Sequence, residues 1–449
     1  MRRTALTGWG RTSPTVGDLH PAGDDEALGR LVRSAGARGV VPRGLARSYG
    51  DAAQNGGGDV LDMTPRNRIL SVDTRSAVVE VEAGASLDAL MRTLLPLGLF
   101  VPVSPGTRQV TVGGAIAADI HGKNHHVDGS FGQHVLSMDL LTADGTVRRL
   151  VPDLHPELFW ATVGGMGLTG VVLRATIAMK RVESAYCVVD TERAADLDDL
   201  LERMSSSDHR YTYSVAWIDC QARGTSMGRA VLTRGWAATV EQLPSRLQAD
   251  PLRFRPSQRL TAPPVFPSGL LNRWTVAAFN EAWFRKAPRE RRGQVQGIAP
   301  FFHPLDGVGG WNHVYGPRGF LQYQLVVPFG AEEALRRCVQ QLSAAGQASF
   351  LAVLKRFGAA GQGHLSFPVP GWTLALDLPV GDPGLGALLD RLDQEVLGAG
   401  GRLYLAKDSR LPAGALARMY PRLDEWRDVR RALDPAGVFT SDLARRLQL

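Results

Sequence analysis

A chain of 449 residues with 44% hydrophobic, 21% charged and 7% aromatic residues has the composition of a folded protein long enough for two or three domains, which excludes disorder, collagen and coiled coil. No apolar run approaches the roughly 20 residues of a membrane span, and the opening MRRTALTGWGRT lacks the apolar core of a signal peptide, so neither feature is expected. The net charge of +7 comes from 51 basic residues, of which only Lys123, Lys180, Lys286, Lys355 and Lys407 are lysines, and it leaves nucleic acid, a membrane surface, an anionic substrate or no partner open.

In chain order, Asp24 and Asp25 offer an N-cap to the apolar spacing Ala27, Leu28, Leu31, Val32, and Gly36 to Gly39 end that helix. A strand about Val40 runs into Pro42-Arg43-Gly44-Leu45-Ala46-Arg47-Ser48-Tyr49-Gly50-Asp51. Gly44 and Gly50 permit close backbone approach, and Arg43, Arg47 and Ser48 can donate to phosphate oxygens, so this is either an anion cradle or a plain connection. Ala77 to Val81 alternates like a strand, Ser86 caps a helix running to Leu95, and Gly98 stops it.

After Ser104-Pro105-Gly106-Thr107, the small residues from 113 to 118 would let backbone N–H groups reach a pyrophosphate. His121, His125 and His126 invite a metal reading, but the last two point apart in an extended chain, so no metal is expected. Residues 134–151 read as a hairpin about Asp144-Gly145. Gly165 to Gly170 satisfies GxGxxG, yet a dinucleotide fingerprint leaves a strand and opens a helix. Here Pro156–Val163 reads as a helix and Val171–Met179 as a strand, so NAD binding is rejected.

To about residue 180 the pattern is one compact α+β unit. Beyond it, strand-like stretches near 185–190, 211–219, 228–233, 320–328, 350–356 and 372–379, with helices near 194–204, 331–345 and 384–397, suit an antiparallel sheet with helices on one face. Residues 251–292 differ, with six prolines, the aromatics Phe254, Phe266, Trp274, Phe279, Trp283 and Phe284, and nine basic residues against Glu281 and Glu290. That segment accounts for the whole charge excess and reads as a mobile lid or docking loop for an anionic lipid surface. Cys187, Cys220 and Cys338 are spaced as reduced core thiols. In so lysine-poor a chain, Lys407 at the end of an apolar strand is either a partner of Asp408, or a cation or base for chemistry.

The runs LTGWGRT (6–12), RSYGDAAQNGGG (47–58), PGTRQVTVGGAIAADIHGKNHH (105–126), LFWATVGGMGLTG (158–170), FLQYQ (320–324), LSFPVPGW (365–372), AKDSR (406–410) and MYPRLDEW (419–426) resemble FAD flavoproteins of the vanillyl-alcohol oxidase type. Within that family the likeness is to members that oxidise polyprenylphosphoryl-β-D-ribofuranose at C2′, and it covers nearly the whole chain. It implies an α+β, two-domain flavoprotein: an FAD domain of two α+β subdomains over 1–184, completed by 402–449, and a substrate domain with an antiparallel sheet over 185–401 that carries the mobile segment 251–292. It assigns FAD contacts to Arg43, Gly44, Leu45, Ala46, Arg47, Ser48, Tyr49, Gly50, Asp51, Gly106, Thr111, Val112, Gly113, Gly114, Ala118, Asp119, Ile120, His121, Val172, Tyr404 and Lys407. Catalytic roles fall to Lys407, which would orient the sugar, His121, a candidate base, Tyr49 and Gln324; substrate contacts fall to Lys123, Phe302, Gln324, Lys355, Thr373 and Ala375.

Related polyol and lactone oxidases attach flavin through a histidine where this sequence has Arg47 before Ser48, which implies non-covalent FAD. Ala375 stands where family members carry a cysteine beside the flavin, Thr373 where they carry Asn, and Phe302 where they carry Tyr. The implied partners are a polyprenylphosphoryl ribose, a separate NADH-dependent short-chain reductase and an anionic membrane surface, with no nucleic acid. The implied location is the cytoplasm or the periphery of the plasma membrane, with its periplasmic face left open. An oxygen-using polyol or lactone oxidase of the same fold and a basic nucleic-acid-binding protein are the alternatives.

Overall fold

The computed structural model describes residues 2–258 and 260–449, so Arg259, one of the nine cations of segment 251–292, lies outside the described residues. Four strands in the order Arg2–Leu6, Thr15–Pro21, Asp59–Asp62 and Val40–Arg43 form a first sheet. Asp24 caps the helix Asp25–Arg33 by accepting from Ala27 N at 2.7 Å, and the helix buries Leu28 and Val32. The far end of the chain closes onto this unit. Val40 pairs with Phe439, and Arg446 bridges Asp51 and Asp408, at 2.8 Å each.

A second, antiparallel sheet runs Ile69–Asp73, Val78–Glu82, Val171–Ala178, Val135–Leu141, Val147–Leu150. Ser86 caps the helix Leu87–Leu94, and a short 3₁₀ turn then ends at Gly98 in the left-handed conformation, which glycine adopts without steric cost. The helix Pro156–Thr162 precedes the strand Val171–Ala178, the order that rules a dinucleotide fingerprint out of Gly165–Gly170.

The third sheet has eight antiparallel strands in the order Glu290–Gly297, Tyr186–Ala194, Ala230–Ala237, Tyr213–Ile218, Ala352–Phe357, Gly371–Pro379, Phe320–Pro328 and Arg402–Leu403. Its last strand lies past residue 401. Helices Leu197–Ser207, Glu332–Ala345 and Leu385–Gly398 bury one face in the largest apolar core. The other face turns towards the first two sheets and forms one wall of a cavity.

Two local expectations are corrected. His125 and His126 sit on the short helix His125–Asp128 rather than in an extended chain. There Gly358 N donates to His125 Nδ1 at 3.1 Å and His126 Nε2 donates to Tyr211 O at 2.9 Å, while no group of three potential metal ligands occurs among the described residues. Segment 251–292 is not a loop throughout. Asn272 and Thr275 form a capping box that opens the helix Arg273–Lys286, and Glu290–Gly297 is an edge strand of the third sheet. The helix is anchored by Asn280 Nδ2, which donates to Asp219 Oδ1 at 2.8 Å, and by Glu281, 2.7 Å from Arg229. Its Trp274, Phe279 and Trp283 are exposed, whereas Phe254, Phe266 and Phe284 are half-buried. None of the described helices is long and apolar enough to cross a membrane.

Candidate active site

A cavity of about 820 Å³ lies between the three sheets, within the range of small-molecule and cofactor sites. The loop after Val40–Arg43 forms its floor. A Cβ on Gly44 would come within 2.2 Å of Thr111 Oγ1, so only glycine lets the loop pass, and Ala46 is held at a φ of 55°. Five successive backbone N–H groups, from Gly44 to Ser48, donate to no protein acceptor among the described residues. Arg47 stacks its guanidinium 3.7 Å from the centre of the Trp9 ring and leaves Nε buried without a partner. Free amides in a tight loop beside an unpaired guanidinium are what a pyrophosphate requires, and FAD fits this cradle.

Residues 111–114 contribute differently from the expectation. The amides of Val112, Gly113 and Gly114 donate to Ala85 O, Ala83 O and Thr111 Oγ1, at 2.8, 2.7 and 3.2 Å, and are not available to phosphate. What Gly113 and Gly114 provide is a wall without side chains, and Gly106 faces open space. Arg43, Leu45, Tyr49, Thr111, Ala118, Ile120, Val172 and Tyr404 also reach the cavity.

Four other expected FAD contacts lie off the wall. Gly50 passes under Asp408, whose carbonyl oxygen would meet a Cβ at 2.0 Å; Asp51 is paired with Arg446; Val112 is in the apolar core. Asp119 accepts from Ser130 Oγ, Gly132 N and Ser366 Oγ at 2.8, 2.9 and 2.6 Å, and thereby pins the turn that presents His121.

At the other end, Gln324 Nε2 donates to His121 Nε2 at 2.8 Å and to Thr373 Oγ1 at 3.1 Å. Thr373, fully buried, donates in turn to Leu325 O at 2.9 Å, so it stands behind Gln324 and is not on the cavity wall. An amide NH₂ has no acceptor to offer, so His121 accepts at Nε2 and carries its proton on Nδ1, which is buried without a partner. Burial first, and then the charges of Lys355 and Lys407, hold the pKa of His121 far below the usual imidazole value. The ring is clasped by Phe357, Phe367 and Tyr404, and Tyr404 OH donates to Ala118 O at 2.7 Å.

Three of the five lysines meet here. Lys407 Nζ lies 3.9 Å from the centre of the Tyr49 ring, and Lys123 Nζ donates to Phe301 O at 2.6 Å. Burial pushes Lys123 and Lys407 down to about 7 and Lys355 down to about 8. Phe302 and Ala375 complete the wall around them.

Two groups escape a residue-by-residue reading. Gln322 and Asp377 face each other across paired strands and are hydrogen-bonded, and Tyr315 OH donates to Asp377 at 3.4 Å. Burial pushes the Asp377 carboxyl up to about 7, against the opposing pull of Lys407. The available signal was the alternation of Gln322 with Gln324, which puts both amides on one strand face.

Comparison with known proteins agrees with this geometry. Residues 21–151 match the family model of the FAD binding domain, and residues 388–447 that of D-arabinono-1,4-lactone oxidase. The chain is 53% identical to decaprenylphosphoryl-β-D-ribose oxidase of Mycolicibacterium smegmatis over 99% of its own length and 97% of that protein. More distant likenesses are to alditol oxidase of a Streptomyces species, 29% identical over 39% of this chain and 42% of the relative, and to bovine L-gulonolactone oxidase, 30% identical over 33% of each.

Proposed function

Since the chain belongs to the family of decaprenylphosphoryl-β-D-ribose oxidase, FAD-dependent oxidoreductases acting on CH–OH groups, we propose that it oxidises the 2′-hydroxyl of a polyprenylphosphoryl-β-D-ribofuranose to the 2′-keto sugar. The observation that carries this reading is the meeting of Lys123, Lys355 and Lys407 in one buried cavity beside a neutral His121. Buried ammonium groups with no carboxylate bonded to them call for an anionic ligand, and a phosphate ester of a sugar meets that need.

When bound, FAD supplies the acceptor for the hydride that leaves C2′. The amides of Gly44 to Ser48 and Arg47 hold its pyrophosphate, without a covalent link because Arg47 occupies the histidine position. Lys123 and Lys355 pair with the substrate phosphate. Lys407, its pKa brought down to about 7 by burial, takes the hydroxyl proton, and the Tyr49 ring screens its ammonium from water. His121, a neutral ring on the cavity wall held through Nε2 by Gln324, shapes the sugar site rather than acting as its base. Phe302 and Ala375 bound the sugar, and Ala375 offers no thiol to a reactive inhibitor.

Epimerisation requires hydride to return to the opposite face of the ketone. The helix-to-strand setting of Gly165–Gly170 supports leaving that step to a separate NADH-dependent short-chain reductase. Leu260, Val265 and Trp274, 69%, 77% and 70% exposed among the cations of segment 251–292, support peripheral docking on an anionic membrane, where a polyprenyl substrate resides. Mass analysis of the sugar after turnover with a dye acceptor tests the reaction: a product lighter by two hydrogens is expected, and an unaltered sugar phosphate overturns it.

A further inference from the structure

The cavity does not end at the lysines. Gln324 pairs with Ala375, Ala375 with Val353, Val353 with Trp217 and Trp217 with Val231, so five residues form one cross-strand row over the third sheet, and all five line the cavity. Four strand spacings make the row about 19 Å long. Beyond Gln324 it carries neither charge nor hydrogen-bonding group on its surface except the indole of Trp217, and that Nε1–H is spent on Phe350 O at 3.0 Å. A parallel row beside it, Val215, Thr233 and Thr191, is also uncharged. The far end opens at Trp283, Lys286 and Pro288, where the helix Arg273–Lys286 meets its edge strand.

A track that is cationic where the chemistry occurs, uncharged along its length with one apolar row, and open beside exposed aromatics matches an amphiphile laid out in one direction. Resting on the proposed reaction, we propose that the row Ala375–Val353–Trp217–Val231 is the channel for the first isoprene units of the substrate. The phosphate sits on Lys123 and Lys355, and the remaining chain leaves past Trp283. The apolar tail then contributes affinity through the enzyme itself as well as through any membrane.

Binding of methyl phosphate and geranyl phosphate to the FAD-loaded enzyme, measured by calorimetry without membranes or turnover, tests this. Geranyl phosphate is expected to bind at least about tenfold tighter, since a single methylene in a matched pocket gives a factor of that order. Val231→Asp, which places a charge on the row, is expected to abolish the difference while methyl phosphate still binds. Equal affinities in the native enzyme overturn the channel whether or not the variant folds, as does an undiminished difference in a Val231→Asp protein with native melting. If phosphoryl ribose is not oxidised but geranyl phosphate still outbinds methyl phosphate, the reaction is wrong and the channel stands.

Discussion

The Gln324 side-chain amide donates to His121 Nε2 at 2.8 Å, and this bond keeps the imidazole proton on the buried Nδ1. Gln324→Glu reverses it: a carboxylate accepts, draws the proton to Nε2 and leaves Nδ1 as an acceptor. Turnover is expected to fall about tenfold to a hundredfold, the cost of one buried mismatched polar group, while bound FAD is unchanged by absorbance. Native turnover in this variant removes His121 from the reaction.

As the proposed base, Lys407 must lose its proton before it can accept another. With its pKa brought down to about 7, kcat/KM is expected to rise with pH through that value. It is expected to fall again above about 8 as Lys355 loses the charge proposed to hold phosphate. Lys407→Arg keeps the charge but cannot surrender it, so turnover should drop about 10²- to 10⁴-fold with flavin retained. An active Arg variant shows that only the charge matters.

Asp377 raises the pKa of Lys407 through its negative charge. Asp377→Asn removes that charge and retains an amide able to pair with Gln322, so the acidic limb of the pH–rate profile is expected to move to lower pH. An unmoved limb disconnects Asp377 from the base.

Buried lysines are a burden on the ligand-free fold. The folded-state pKa of Lys355 is lowered from 10.5 to about 8, so the folded state resists its charge. The penalty is fully present below the folded value and recedes as pH rises towards the unfolded one. Lys355→Met is therefore expected to melt a few degrees above the native protein at pH 7, on the order of 3 kcal/mol for the lifted penalty. The gap should close near pH 10. Calorimetry at both pH values checks it, and a lower melting point at pH 7 contradicts it.

Arg47 in place of a linking histidine leaves no side chain at that position to bond the flavin. Acid precipitation is expected to leave all flavin in the supernatant and a colourless pellet; a yellow pellet identifies a covalent link elsewhere.

Signals confined to a few neighbouring residues were legible before the fold was known. Asp24, Ser86 and Gly98 act as caps and stop because each works on its own turn, and Gly44 with Arg47 marks the cradle because the whole device is one loop. What escaped depends on partners far along the chain. The amides of Val112 and Gly113 are taken by Ala85 and Ala83 in the turn before the helix Leu87–Leu94, which no inspection of the glycine run reveals. Thr373 is set behind Gln324, and Gln322 opposite Asp377, by strand register. The helix Arg273–Lys286 spreads its aromatics around its circumference instead of along one stripe, so its periodicity is weak. It is secured through Asn280 and Asp219, 61 residues apart.

The most direct measurement is an anaerobic titration of the oxidised holoenzyme, followed at the flavin band near roughly 450 nm. Polyprenylphosphoryl ribose is expected to bleach the band stoichiometrically, with free alditols and lactones leaving it intact. Bleaching by an alditol, or an unchanged band with the phosphoryl ribose, contradicts the assignment.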